Sequence, residues 1–315
     1  MSVTGDASEP PAEPQTTGRV LMIRPAAFGA NPETAATNAF QRGAEGSAAE
    51  LLARARAEFD GLVAALRAHG VDVLVLEDEP EPPRPDAVFP NNWVSFHADG
   101  RVVLYPMLAP SRRAEVRAGL LGELARLGLS GPRRVLDLRV DAGGEALEGT
   151  GSLVLDRAGR VAYACRSPRT SARLLARFCA ELGYQAVAFD ALDARGVPIY
   201  HTNVMMALGE GFALVCAEAI PDEEERARVR AHLAAGGREL VPLTWAQMDE
   251  FAGNALALRA GDGRQLLVLS ARARRALTPA QLAVLERHAT LVSAELATIE
   301  ACGGGSARCM IAEVF

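Results

Sequence analysis

Apolar and polar residues follow a short repeating pattern along the chain: an apolar strand, a polar or proline-containing turn, an amphipathic helix and a second apolar strand. In the first copy, the strand RVLMIRPAAF (Arg19 to Phe28) precedes a loop, a helix around Ala48 to Ala68 and the strand VDVLVLE. His69 and Gly70 end this helix, because glycine readily takes the left-handed conformation that terminates helices. The pattern occurs five times and predicts alternating strands and helices.

The four later copies begin at residues 101, 160, 212 and 265. They read RVVLYPMLAPSRRAEVRAGLLGELARLGL, RVAYACRSPRTSARLLARFCAELGYQAVAFD, FALVCAEAIPDEEERARVRAHLAAGGRELVPL and QLLVLSARARRALTPAQLAVLERHATLVSAEL. Between copies lie DAVFPNNWVSFHADG, EGTGSLVLDRAG, HTNVMMALGEG and FAGNALALRAGDG, each leading through a glycine-containing turn into the next strand. Such segments are typical of one arm of a hairpin. The repeating unit is therefore predicted to be β-β-α-β.

A unit of this size cannot bury its own apolar face, so a fixed-order repeat indicates an array of units that pack on one another. Five sheet-plus-helix blades can close around an axis. An ordinary doubly wound parallel sheet also alternates strands and helices, but it does not accommodate the intervening hairpins. We therefore expect an α/β fold of five ββαβ repeats.

The composition is that of a globular protein. The 315 residues include 33 Lys and Arg against 39 Asp and Glu, a net charge of −6, and 49% of the residues are apolar. The first 18 residues, MSVTGDASEPPAEPQTTG, are rich in Pro, Glu, Ser and Thr, which predicts a disordered tail rather than a signal peptide. Although roughly 150 residues per domain would suggest two domains, large sheet-rich folds use this length as one unit. We expect a single domain over residues 19–315.

Several classes of function are disfavoured by the sequence. It has no basic run and only 5% aromatic residues, which disfavours nucleic-acid binding, and no apolar stretch approaches the roughly 20 residues that span a bilayer. Five cysteines without regular spacing predict reduced thiols and a cytoplasmic protein. No HExxH, CxxC, GxGxxG or P-loop motif occurs, so we expect neither a metal nor a cofactor.

The carboxyl-terminal segment CGGGSARCMIAEVF carries the first candidate for chemistry. Three successive glycines, Gly303 to Gly305, are costly to order and indicate a sharp bend or a close approach to a ligand. Cys309 follows them, and a thiol there suits a nucleophile if a positive neighbour or a histidine activates it. The alternative is an inert buried cysteine beside a flexible tail.

Two further residues have the chemistry that such a thiol needs. His201, in PIYHTNVMMALG, is predicted at the start of an apolar strand beside polar Thr202 and Asn203, which suits an acid–base group as well as a core histidine. Glu148, in LEGTGSLVLD, is a carboxylate at a predicted strand start between an apolar residue and a flexible Gly-Thr-Gly.

Six segments together resemble the guanidine-modifying superfamily of arginine deiminases, dimethylarginine hydrolases and amidinotransferases. They are RPAAFGANPETAATNAFQ, VFPNNWVSFH, LEGTGS, SPRTS, YHTNVMM and GGGSARCM, in family order. The resemblance is closest to the citrulline-utilisation hydrolases. It implies a five-bladed α/β propeller (pentein) with pseudo-fivefold symmetry and a cofactor-free hydrolase acting on a small amino-acid substrate. The sequence leaves the oligomeric state open, homo-oligomers included.

By this resemblance Cys309 is the nucleophile, His201 the general acid–base and Glu148 a group that holds the substrate nitrogens. Arg169, in SPRTS, resembles the arginine that pairs with the substrate α-carboxylate, a task that suits its bidentate guanidinium. A surface residue at a helix start is the alternative for Arg169.

The first long loop and the FPNN segment supply the remaining candidates for substrate binding. Asn31, together with Thr34, Asn38 and Phe40, belongs to a loop long enough to cover a pocket, and an ordinary packed loop is the alternative. Phe89 opens FPNN, the counterpart of the F-x-x-D segment of deiminases.

Two positions depart from the deiminase pattern. Asn92 and Asn203 stand where deiminases have aspartates that grip a cationic guanidinium. An asparagine donates as well as accepts hydrogen bonds, so the pair suits the neutral ureido group of citrulline better than arginine. We therefore expect hydrolysis of citrulline to ornithine, CO2 and ammonia through a thioester on Cys309. Arginine deimination, dimethylarginine hydrolysis, amidino transfer and a catalytically silent amino-acid sensor are the alternatives.

Overall fold

The computed structural model describes residues 13–117, 119–129, 131 and 134–315. Its strands are β1 (Arg19–Arg24), β2 (Asp72–Glu77), β3 (Val94–Phe96), β4 (Arg101–Leu104), β5 (Arg134–Asp137), β6 (Val154–Asp156), β7 (Val161–Cys165), β8 (Gln185–Phe189), β9 (Met206–Leu208), β10 (Phe212–Val215), β11 (Glu239–Pro242), β12 (Leu256–Arg259), β13 (Gln265–Ser270), β14 (Thr290–Ala294) and β15 (Ala312–Val314). Its α-helices are α1 (Pro32–Ala35), α2 (Ala48–Ala68), α3 (Leu120–Arg126), α4 (Gly149–Ser152), α5 (Ala172–Leu182), α6 (Glu223–Ala235), α7 (Trp245–Asp249), α8 (Ala271–Ala276), α9 (Pro279–His288) and α10 (Ala297–Gly303).

These strands form five separate three-stranded sheets with the orders β15-β1-β2, β3-β4-β5, β6-β7-β8, β9-β10-β11 and β12-β13-β14. In every sheet the central strand pairs antiparallel with one neighbour and parallel with the other. The antiparallel pair is the predicted hairpin, and the parallel strand returns after a helix, as a parallel connection requires. The β-β-α-β unit is confirmed, and a single doubly wound sheet is excluded for the described strands.

The first sheet joins the two ends of the chain. Its antiparallel arm is β15, with Val20 opposite Glu313 and Leu21 opposite Ala312. The first repeat therefore takes its missing hairpin arm from the carboxyl terminus. This pairing fixes the turn that carries Cys309, because the turn lies directly between α10 and β15.

Local sequence explains the longest helix. Ser47 and Glu50 form a reciprocal capping box at the start of α2, which satisfies backbone donors that a helix start leaves free. Leu51, Ala55 and Phe59, each four residues from the next, lie on its buried face, as an amphipathic helix requires. The helix spans Ala48–Ala68 with His69 as its C-cap, as the sequence predicts.

The tail predicted over residues 1–18 needs correction at its carboxyl-terminal end. Residues 1–12 lie outside the described residues, but Glu13 and Gln15 are buried. Glu13 Oε1 accepts a hydrogen bond from Arg157 Nη1 at 2.7 Å, and Gln15 Nε2 donates to Leu155 O at 3.0 Å. Disorder is therefore wrong for residues 13–18, because a buried ion pair and hydrogen bonds to distant residues hold this polar segment.

In the part of the chain that the structure describes, no helix has the length and apolar character needed to cross a membrane. All five cysteines carry free thiols and are buried.

Candidate active site

The nucleophile candidate Cys309 lies in the turn between α10 and β15 and is buried. The helix ends where Gly304 adopts a left-handed conformation with a φ of 63°. A Cβ on Gly303 would lie 2.6 Å from the Phe89 ring, and one on Gly305 would lie 3.2 Å from Cys309 Cβ. The sharp bend expected of these glycines is present, and the absence of side chains lets the Phe89 ring lie against the backbone that carries the thiol.

Two asparagine amides contact the Cys309 sulfur. Asn254 Nδ2 lies 3.2 Å from Sγ, and Asn203 Nδ2 lies 3.5 Å from it. The orientation of Asn254 is fixed, because its Oδ1 accepts the backbone N–H of Arg308 at 3.1 Å and an N–H donor requires a carbonyl oxygen. The sulfur therefore lies between two amides: Asn254 donates to it, and Asn203 lies near it with its Nδ2 as a donor and with its Oδ1, at 3.9 Å, as an acceptor of the thiol proton.

His201 and Glu148 form a buried hydrogen-bonded pair. His201 Nε2 lies 2.8 Å from Glu148 Oε2. Burial lowers the pKa of His201 to about 4, although the Glu148 carboxylate counteracts part of this effect. The imidazole is therefore neutral at pH 7. If Nε2 carries the proton that Glu148 accepts, Nδ1 is the atom free to take a proton.

Both Glu148 oxygens have partners within the protein. Burial by itself raises the pKa of Glu148, but the Arg169 guanidinium and His201 hold it well below its usual range. Oε2 lies 3.3 Å from Arg169 Nη1, and Oε1 accepts the backbone N–H of Leu108 at 3.0 Å. Glu148 thus orients His201 in this structure, and its predicted contact with the substrate nitrogens stays a prediction.

The backbone around these two residues differs from the strands that the sequence predicts. Glu148 precedes the single turn of α4, and His201 precedes a 3-10 turn, Thr202–Val204, with β9 beginning at Met206. A Cβ on Gly149 would lie 2.3 Å from Asn91 O. The glycines of the EGTGS segment therefore permit a tight turn against FPNN, which aims both side chains inward.

Asn92 lies in a 3-10 turn, Pro90–Asn92, and is oriented by an arginine. Arg112 Nη1 donates to Asn92 Oδ1 at 2.8 Å. Arg112 is itself held by Glu115, through contacts of 2.8 and 2.9 Å. Burial raises the pKa of Glu115 to about 7, and Arg112 counteracts part of the rise. Among the described residues, Asn92 Nδ2 has no hydrogen-bond partner.

Arg169 reaches from the SPRTS segment to the first loop. Its Nη2 donates to Thr37 Oγ1 at 2.7 Å and to Thr34 O at 3.1 Å, and the guanidinium lies over the Tyr200 ring. Arg169 is buried, so the surface alternative is wrong. Its pairing with a substrate α-carboxylate stays a prediction, and it requires the guanidinium to exchange some of these contacts.

Asn31 lies at the edge of the site. Its side chain caps α1 by accepting the Glu33 N–H, and its Nδ2 donates to Asp86 Oδ2 at 2.8 Å. Asn38, from the same loop, donates to Gly303 O at 3.2 Å. The first loop therefore covers the glycine segment, as expected of a loop of this length.

Most of these residues enclose one small pocket with an empty volume of about 270 Å³. Its walls contain Thr34, Asn38, Asp86, Phe89, Asn92, Arg112, Arg169, Tyr200, His201, Gly303, Gly304, Gly305 and Cys309. Three of the predicted site residues do not line this pocket: Asn31, Glu148 and Asn203. No group of three His, Cys, Asp or Glu side chains that could hold a metal ion occurs among the described residues.

Three residues of the site were not identified from the sequence. Asn254 contacts the sulfur, Arg112 orients Asn92, and Asp86 is a buried carboxylate in the pocket wall. The buried asparagine after a glycine in FAGN was the available signal for Asn254. Arg112 lies in a basic helix-like segment whose pattern resembles a solvated face, so no local pattern marks it as a site residue.

Comparisons with known proteins bear on the family and the fold of this chain. A family model described as N,N dimethylarginine dimethylhydrolase, eukaryotic, matches residues 24–315. None of the curated proteins matches the sequence.

Several solved structures share the fold. The substrate-bound N-terminal domain of ArgZ, an arginine dihydrolase from the ornithine–ammonia cycle in cyanobacteria, is 19% identical with a TM-score of 0.70, covering 94% of this chain and 97% of that one. An apo structure of ArgZ is 20% identical with a TM-score of 0.72. The match covers 94% of this chain and 40% of the ArgZ chain. A dimethylarginine dimethylaminohydrolase adduct with S-methyl-L-thiocitrulline is 16% identical with a TM-score of 0.64, covering 94% and 98%.

Proposed function

The chain belongs to the N,N-dimethylarginine dimethylhydrolase family of eukaryotic type, and from its site we propose that it is a cysteine-dependent hydrolase that cleaves the C–N bond of the ureido group of citrulline. Membership confirms the resemblance to the guanidine-modifying superfamily, whose enzymes act on C–N bonds. The choice of citrulline rests on the side chains of this chain.

The orientation of Asn92 is the observation that carries the proposal. Because Arg112 has only donors, it must contact the oxygen of Asn92, and the amide nitrogen is left for other partners. This nitrogen is buried without a partner among the described residues. A guanidinium offers only donors and cannot satisfy it, whereas a ureido oxygen accepts from it. An unsatisfied buried donor is costly, so the pocket favours a substrate with an acceptor.

In the first chemical step, the Cys309 thiolate adds to the ureido carbon and the carbonyl oxygen becomes an oxyanion. Asn92 Nδ2 donates to this oxyanion, a contact that strengthens as charge develops. His201 takes the thiol proton and delivers it to the δ-nitrogen as the carbon–nitrogen bond breaks. Ornithine leaves with its amine, and a carbamoyl group remains on the sulfur.

The second step returns the enzyme to its starting state. Neutral His201 takes a proton from water, and the hydroxide equivalent adds to the carbamoyl carbon. The carbon–sulfur bond then breaks and the thiolate regains the proton. Carbamate is released and decomposes to CO2 and ammonia. Glu148 keeps the imidazole oriented through both steps and stabilises it while it is protonated.

Asp86 favours a second candidate function. It is a buried carboxylate in the pocket wall, and a carboxylate is the group that a cationic guanidinium seeks. Arginine or a methylated arginine is therefore the alternative substrate, by deimination, dimethylamine release or amidino transfer. Against it, Asp86 already accepts from Asn31 at 2.8 Å and lies 3.9 Å from Arg112 Nε.

We also propose that the five sheets are blades of a propeller with pseudo-fivefold symmetry. Supporting this arrangement, the hairpin-arm strands of different sheets contact one another: β15 with β3, and β9 with both β6 and β12. A cytoplasmic setting is likewise a prediction.

Product analysis tests the proposed function. Purified protein is incubated separately with L-citrulline, L-arginine and N,N-dimethylarginine, and ornithine, citrulline, ammonia and dimethylamine are quantified. We expect ornithine and ammonia from citrulline, and no product from the Cys309→Ser variant. Citrulline formed from arginine or dimethylarginine, with citrulline itself unchanged, would overturn the choice of substrate and leave the nucleophile standing.

A further inference from the structure

The Cys309 thiol has no histidine partner in the described structure, although both residues face the same pocket. The hydrogen bonds to Sγ come from Asn254 and Asn203, whereas His201 Nε2 is directed at Glu148. A thiolate in a buried site needs compensation for its charge, and amide donors can provide it.

Three hydrogen bonds fix the orientation of the Asn254 amide. It is fully buried, its Nδ2 donates to Asn203 O at 3.0 Å and to Cys309 Sγ at 3.2 Å, and its Oδ1 accepts Arg308 N–H at 3.1 Å. The Asn254 side chain therefore contacts the Cys309 sulfur, the backbone of Arg308 and the turn that follows His201. Rotation of the amide would break all three contacts.

The backbone before Asn254 is shaped to allow this contact. Phe251 has a φ of 61°, which is strained for a bulky residue. A Cβ on Gly253 would lie 2.4 Å from Val204 O, so only glycine lets this turn approach the segment after His201. Strain and close approach both serve to bring Asn254 to the sulfur.

We propose that Asn254 is a further residue of the catalytic machinery, whose preorganised N–H donor stabilises the Cys309 sulfur as the sulfur loses its proton to His201, with the more distant Asn203 amide as a second contact. The proposal rests on the proposed function only in taking Cys309 as the nucleophile. His201 is then neutral before substrate arrives, takes the thiol proton as the sulfur attacks, and delivers that proton to the leaving nitrogen. This differs from a thiolate–imidazolium pair, in which the histidine is already charged.

Several charged and polar side chains lie near the Cys309 sulfur. Asp86, Arg112, Arg169, His201 and Tyr200 share the pocket with Cys309. Arg308 directs its guanidinium away, to Glu313 Oε2 at 2.8 Å. A change in thiol reactivity on substituting Asn254 therefore has to be compared with a variant that leaves all of these groups in place.

The test is the pH dependence of Cys309 alkylation by iodoacetamide, followed by mass spectrometry of the carboxyl-terminal peptide. Asn254→Ala removes the donor, and Asn254→Asp keeps its shape while replacing donors with acceptors. We expect the pH of half-maximal rate to rise by about one to two units in Asn254→Ala, and further in Asn254→Asp. Gln247→Ala, which removes a buried amide that donates to Ala276 O and lies outside the pocket, serves as the control and is expected to move the midpoint by less than about half a unit.

An unchanged midpoint in both variants, with activity lost, would reduce Asn254 to a structural role and overturn the proposal. If both variants fail to fold, Asn254→Ser, which shortens the side chain and retains an O–H group, replaces them: its midpoint should rise above the wild-type value, and an unchanged midpoint would overturn the proposal. Because alkylation needs no substrate, these outcomes are independent of whether citrulline is turned over.

Discussion

His201 Nε2 and Glu148 Oε2 are joined by a buried contact of 2.8 Å. Glu148 is fully buried and also engaged by Arg169, so it stays charged as a fixed partner of the imidazole. If Nε2 carries the proton that Glu148 accepts, the pair fixes the tautomer of His201 and leaves Nδ1 unprotonated.

Replacing Glu148 by Gln should lower kcat for the preferred substrate by at least about 100-fold, because a neutral partner neither fixes the useful tautomer nor stabilises the protonated imidazole. KM should change less. Steady-state kinetics with a circular-dichroism check of folding measure this. Glu145→Gln is the matched control, since Glu145 forms only a half-exposed pair with Arg173. A Glu148→Gln enzyme with near-normal kcat would remove Glu148 from the mechanism.

The acid limb of kcat/KM should lie well below the ordinary histidine pKa. Burial lowers the pKa of His201 to about 4, so the folded enzyme keeps a neutral base as the pH falls through 6.5, whereas an exposed histidine would lose it there. We expect activity to decline only as the pH approaches about 4 to 5.

Glu115 is the titratable group that complicates this profile, because burial raises its pKa to about 7 and it pairs with Arg112. Glu115→Gln therefore separates the two groups. A limb near pH 7 that disappears in this variant belongs to Glu115. An acid limb near 6.5 that persists in Glu115→Gln would contradict the neutral, buried His201.

The lowered pKa of His201 also makes the stability of the folded protein depend on pH. Because His201 has a lowered pKa in the folded state, the unfolded chain binds a proton first as the pH falls. His201 therefore contributes stability above pH 6.5 that is lost progressively between 6.5 and about 4.

Gly305→Ala should impair catalysis. The added methyl would lie 3.0 Å from the Phe89 ring and 3.2 Å from Cys309 Cβ, so the ring or the turn that carries the nucleophile must shift by a few tenths of an ångström. Because a misplacement of about 1 Å costs about 100-fold, we expect a loss of about 10-fold in kcat/KM. Gly61→Ala on α2 is the control: its methyl meets nothing within 4 Å, and it should stabilise the fold by about 0.5–1 kcal/mol. Equal activity of both variants would show that the turn tolerates the methyl.

Much of the fold followed from local pattern. The apolar and polar pattern of each strand–turn–helix copy is recognisable within about 30 residues, so the five β-β-α-β units and the bounds of α2 were predictable. The ordered motifs likewise brought Cys309, His201 and Asn92 to one pocket.

Long-range partners were not predictable in the same way. Glu148 meets His201 across 53 residues and Asn254 meets Cys309 across 55, and no local pattern encodes such pairings. The tail prediction failed for the same reason, since composition alone gives no sign that Glu13 pairs with Arg157 at a separation of 144 residues.

Glu13→Ala should therefore destabilise the protein, although its position suggests a dispensable tail. Arg157 and Glu13 are both about 1% exposed at their side chains, and removing one partner of a buried pair leaves a charge uncompensated. Because Glu313 remains 3.4 Å from Arg157, we expect a loss at the lower end of the usual range, about 3 kcal/mol. Urea unfolding measures this against Glu45→Ala, which removes an exposed glutamate. Equal urea midpoints for Glu13→Ala and Glu45→Ala would mean that the Glu13 ion pair contributes nothing to the stability of the fold.

The central claim is that the amide nitrogen of Asn92, oriented by Arg112, selects a ureido substrate. The most direct test is kcat/KM for L-citrulline and L-arginine in the wild type and in Asn92→Asp, which replaces the donor by an acceptor of the same shape. We expect the wild type to prefer citrulline, and the variant to lose about 100-fold on citrulline while its preference moves toward arginine. A wild type that prefers arginine, or a variant that hydrolyses citrulline at the wild-type rate, would contradict the account.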